Sequence, residues 1–130
     1  MRIHSRAVRV LAVAVLAAGF MTAGGSATAA TSGVTSCYGS AKSINGTDDN
    51  GRWPVTGYRV TTSNCGDINV KVTGQNTVET CFLPSSGPEY CNGGHRVEAN
   101  TWTLAATDVK DGTKFYLIFY SGNASGVAAY

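Results

Sequence analysis

Histidine, proline and charge are all scarce in this chain, which has two histidines, three prolines and 14% charged residues among 130. His4 lies in the N-terminal stretch, which leaves His95, in Cys91-Asn92-Gly93-Gly94-His95, as the imidazole available further along. A nucleophile relay needs a histidine beside an oriented serine or a free cysteine. No nucleophile-elbow or zincin pattern accompanies this one, so His95 reads as a solvated loop residue. No C-x-x-C occurs, which makes zinc and thiol redox chemistry a poor fit. Beyond residue 20 no apolar run approaches the roughly 20 residues of a membrane helix, and no helical periodicity is sustained after residue 30.

The carboxylates are few and unpatterned. Asp48 and Asp49 are adjacent, and Asp67, Glu79, Asp108 and Asp111 stand singly. Sequence does not place two of them across a sugar, as a glycosidase requires. Asp48-Asp49-Asn50-Gly51 and Asp111-Gly112 read more simply as turn formers. Asp48, Asp49 and Asn50 carry oxygens that suit calcium, but the EF-hand spacing is missing. No catalytic, cofactor or metal residue is assigned, and the chain reads as non-enzymatic.

What is present begins with an export signature. Arg2, Arg6 and Arg9 form a basic n-region, Val10 to Phe20 is apolar but for Gly19, and Ala27-Thr28-Ala29 fits signal-peptidase cleavage. Residues 1–30 are therefore predicted to be a signal peptide and 31–130 a secreted domain, with 31–36 as a flexible N-terminal arm. The formal excess of +2 belongs largely to the leader. Lys42, Arg52, Arg59, Lys71, Arg96, Lys110 and Lys114 face eight anions, so the remainder carries −1. That is no footprint of a nucleic-acid or anionic-membrane binder, and no membrane anchor is expected after cleavage.

About 100 residues make one domain with a modest core, for which covalent staples are expected. Cys37, Cys65, Cys81 and Cys91 make two disulfides in an exported chain, with three possible pairings. Cys37–Cys65 and Cys81–Cys91 are favoured, because the second pair brackets Pro84-Ser85-Ser86-Gly87-Pro88, which must turn back.

Strand signals dominate the rest. Ile68, Val70 and Val72 alternate with polar residues, Val78, Thr80 and Phe82 share a face, and Trp102, Leu104 and Ala106 alternate with Thr101, Thr103 and Ala105. Asp111-Gly112 signals a hairpin into Phe115–Tyr120. Tyr58–Thr62 and Val127–Tyr130 are weaker strands, and 43–53 reads as a turn-rich loop. Six or seven short strands predict an all-β fold, a β-sandwich or a small barrel.

The aromatic residues point furthest towards function. Phe115, Leu117 and Phe119 share one strand face; Tyr116, Ile118 and Tyr120 share the other. If that second face is open it is an amphipathic patch of the kind that binds partners. If the strand is covered on both sides, the run is core. Trp53 is a further candidate for partner binding, and Trp102 is read as core.

Thr101-Trp102-Thr103-Leu104-Ala105-Ala106 continuing to Phe115, with Cys65-Gly66-Asp67-Ile68-Asn69-Val70 and Cys81-Phe82-Leu83-Pro84-Ser85-Ser86, resembles the small exported adaptor (B) subunits of actinobacterial umbrella toxin particles. The similarity spans most of 36–130 and rests on structural motifs. It implies a secreted adaptor joining a lectin-bearing subunit to a toxin-carrying one in an antibacterial complex. Two other functions fit the residues: an inhibitor inserting Leu83–Tyr90 into an enzyme, and a small lectin or cell-wall-active protein using Trp53, Asp48 and Asp49.

Overall fold

The computed structural model describes residues 34–130. The expected signal peptide and residues 31–33 of the expected arm lie outside the described residues. The rest of that arm enters a short helix, α1 (Val34–Gly39). Six residues are too few to hold a helix by propensity alone; the Cys37–Cys65 bond fastens this one to the body.

Nine strands follow: β1 (Lys42–Asn45), β2 (Arg52–Trp53), β3 (Arg59–Val60), β4 (Ile68–Val72), β5 (Asn76–Leu83), β6 (Tyr90–Val97), β7 (Thr103–Ala106), β8 (Lys114–Phe119) and β9 (Ser125–Ala129). They build two antiparallel sheets that face each other as a sandwich. One has the order β1-β9-β4-β7; the other is β2-β8-β5-β6, with β3 also paired to β8. The core lies between them. Ile68, Val70 and Val72 point inward from the first sheet, and Val78, Phe115, Leu117 and Phe119 from the second, all buried. The period-2 patterns of β4, β5 and β8 thus mark the inner face. Both favoured disulfides are present, and the described residues contain no free cysteine.

Four expectations need correction. The 43–53 segment is not all loop, because it contributes β1 and β2. Strand β6 went unread since it is an edge strand whose residues before Val97 are mostly exposed, so no apolar alternation marks it. The Asp111-Gly112 turn closes no hairpin, because β7 and β8 belong to different sheets; the Gly112 amide instead donates to Thr61 O.

The fourth concerns parity in β7. Its register against β4 shifts between the pairs Ile68–Ala106 and Asn69–Leu104, leaving Ala105 as an extra residue, a β-bulge. Ala105 and Ala106 are both buried, whereas Leu104 is 47% exposed and Trp102 half-buried. Trp102 therefore lies on the outer face of its sheet and not in the core.

Candidate functional site

The outer face of the β2-β8-β5-β6 sheet collects the residues of interest. Directly paired residues share a face. Ile118 on β8 stands between Arg52 on β2 and Glu79 on β5, and Glu79 pairs with Gly94 on β6. Tyr116 pairs with Cys81, which pairs with its disulfide partner Cys91. One row thus runs Arg52, Ile118, Glu79, Gly94, beside a second of Tyr116, Cys81, Cys91.

Of the two arrangements open for this strand, the half-covered one is found. Tyr116 and Ile118 are intermediate in exposure and Tyr120 is 58% exposed. Each tyrosine is held by a carboxylate: the Tyr120 hydroxyl donates to Glu79 Oε2 at 3.0 Å, and the Tyr116 hydroxyl donates to Glu89 Oε1. The Arg52 guanidinium lies over the Tyr116 ring, 4.2 Å from its centroid, and donates to the carbonyls of Pro54 and Gly57. Gly94 makes room for the second tyrosine. A Cβ there would come within 2.7 Å of Thr77 Cγ2 and 3.4 Å of the Tyr120 ring. Fixed aromatic rings with tethered hydroxyls form a surface whose side chains are already ordered.

The carboxylates leave a chemical mark on the phenols. Hydrogen bonding to Glu89 raises Tyr116 above the ordinary tyrosine range, with burial adding to it. The bond to Glu79, then burial, raises Tyr120 in the same direction. Each neutral phenol is a donor, and its ionisation would set two anions side by side.

Trp53 does not join this face. It pairs with Leu117, a core position, while its neighbour Arg52 takes the outward place. The indole is 4% exposed, packs edge-on to Tyr130 at 6.4 Å, and has the Arg59 guanidinium 4.7 Å from its centroid. A buried ring of this kind anchors the core and no partner, and it offers no platform to a sugar. Asp48 is occupied locally, its Oδ1 accepting from the amides of Asn50 and Arg52 at 3.0 and 2.7 Å, as a turn former does. His95 is exposed on edge strand β6, opposite Val78.

Glu79, Cys81 and Cys91 lie close enough together to suggest a metal cluster, but both sulfurs are bonded to each other, which leaves a cation one carboxylate. The loop at 84–89 is exposed and closed at its base by the directly opposed Cys81 and Cys91. Through Glu89 it reaches back to Tyr116, so it borders the tyrosine face.

Sequence reasoning missed Arg52, Glu89 and Gly94, and it noted Glu79 without a role. Their importance comes from the register of β2, β5 and β6 against β8, which only the paired sheet displays. No protein-family model matches the chain, and neither a curated protein nor a solved structure matches it.

Proposed function

We propose that the chain is a secreted, non-enzymatic adaptor whose tyrosine face on the second sheet docks a protein partner. The observation that carries this reading is the pair of phenols tied to carboxylates, Tyr116 to Glu89 and Tyr120 to Glu79, on an otherwise half-open sheet. Rings fixed in this way contribute contact area at low entropic cost, which is the profile of interface anchors. The two disulfides suit an oxidising, extracellular setting. With the resemblance to umbrella-particle adaptors, the partners are a lectin-bearing subunit and a toxin-carrying subunit of an antibacterial complex.

The inhibitor reading draws on the exposed, disulfide-closed loop at 84–89. That Glu89 is bonded to Tyr116 favours the loop as one rim of the docking face over a free-standing plug. Hydroxyl-radical footprinting of the exported protein, alone and in its native complex, tests the proposal. Protection of Tyr116 and Tyr120 on complex formation is expected. Protection confined to 84–88 would favour the inhibitor, and an unchanged pattern at both places would reject the docking face.

A further inference from the structure

A groove opens on the other side of the molecule, on the outer face of the β1-β9-β4-β7 sheet. It offers about 390 Å³ of open groove between α1 and β7, next to the Cys37–Cys65 bond, a size in the range of small-ligand sites. One wall is aromatic. Tyr38 of α1 stacks on Trp102 with centroids 4.4 Å apart and planes tilted by 34°. Trp102 is also faced by the Lys71 ammonium, 5.3 Å from its centroid, while Tyr38 as a residue is 48% exposed. Leu104, 47% exposed, extends the apolar wall.

The remaining lining is polar. Asn64, Asp67 and Asn69 border the groove. Asn69 is 5% exposed, and its Nδ2 has only long contacts, 3.5 Å to Asp67 O and 3.9 Å to Cys37 Sγ. Asp67 Oδ1 takes the Asp108 amide at 3.0 Å. A carboxamide so deeply placed, whose Nδ2 makes only long contacts, is costly to cover with apolar matter.

We propose that this groove binds a neutral pyranose ring of a glycan. A pyranose has a C–H face, which the electron-rich face of Tyr38 attracts. Its hydroxyls are donors and acceptors at once, and carboxamides answer both while a carboxylate accepts. A purely apolar ligand would strand Asn69. An anion would meet Asp67, with the Lys71 ammonium directed at the indole. This site is independent of the tyrosine face and stands or falls without it.

The test is a titration of the isotope-labelled exported protein with the methyl glycosides of glucose, galactose and mannose, with N-acetylglucosamine, and with phenol as an aromatic control. At least one sugar is expected to shift the Trp102 indole and Asn64 and Asn69 carboxamide signals saturably, with a dissociation constant of about 1–10 mM. Tyr38→Ala and Asn64→Ala are each expected to weaken that sugar at least about tenfold, the factor that 1.4 kcal/mol represents. Both replaced side chains are exposed, and an unchanged melting curve checks the fold. Sugar shifts that are absent, that map to another surface, or that survive both substitutions would overturn the proposal. So would phenol moving the same signals at lower concentration than every sugar.

Discussion

Thr80 and Ala105 join the two sheets: the buried Thr80 hydroxyl donates to the Ala105 carbonyl at 3.0 Å. Ala105 is the extra residue of the β7 bulge, so its carbonyl is free of the β4 ladder. Asn92 completes the arrangement, with Nδ2 donating to the same carbonyl at 2.7 Å and Oδ1 accepting the Thr80 amide at 2.9 Å. On β6, Asn92 and Gly93 together oppose Thr80, and this second bulge is what brings the carboxamide there. Buried backbone groups left over by two irregularities are thus paired with one another.

Thr80→Val keeps the shape and removes one bond, and is expected to lower unfolding free energy by about 1 kcal/mol. Asn92→Ala leaves the Thr80 amide unpaired and is expected to cost more, about 1–3 kcal/mol. Urea denaturation with an unchanged slope checks both. Equal stability for Asn92→Ala would show that the network contributes nothing.

Gly51 and Gly57 have nearly the same left-handed φ, 77° and 73°, in different space. A Cβ at Gly51 would lie 2.0 Å from Phe119 O, whereas one at Gly57 has nothing within 4 Å. Gly57→Ala is expected to cost about 1–2 kcal/mol, the left-handed penalty. Gly51→Ala is expected to cost well over 3 kcal/mol or prevent folding, since backbone must move. Comparable melting temperatures for the two variants would contradict the placement of β2 against β8.

Alkaline titration probes the tyrosine face. Tyr116 has a folded-state pKa above its unfolded value of about 10. Its contribution is therefore fully present below about pH 10 and is lost as pH rises through the higher folded value. Absorbance of tyrosinate should show a late-ionising group that returns towards the ordinary range in Glu89→Gln. An unaltered titration in that variant would separate Tyr116 from Glu89.

His95→Ala is expected to leave both stability and biological effect unchanged, because the side chain is exposed on an edge strand. Loss of the effect with an intact circular dichroism spectrum would replace the adaptor reading with a catalytic one.

Much of the fold was legible because burial writes itself into parity. In β4 and β8 every second residue is apolar and inward, so Val70 and Leu117 were assignable from spacing alone. Parity fails where the ladder slips. The Ala105 bulge turned Trp102 outward, and the pairing of Trp53 with Leu117 turned that ring inward, so the two tryptophans exchanged their expected places. Strand β6 carries no pattern because, Val97 apart, its side chains are largely exposed. The tyrosines of the proposed docking face were legible as alternate residues of one strand. Glu79 and Glu89, 41 and 27 residues from the tyrosines they hold, Tyr120 and Tyr116, were not, because long-range pairing has no local signature.

The central claim is that the tyrosine face binds a partner, and Tyr120→Glu tests it most directly, since that side chain is 58% exposed and its replacement buries no charge. Melting temperature and affinity for the co-exported partner are measured on the same preparation. A wild-type melting curve with affinity weakened by at least about 2 kcal/mol, roughly thirtyfold, is expected for an interface anchor. Wild-type affinity together with a wild-type melting curve would contradict the claim.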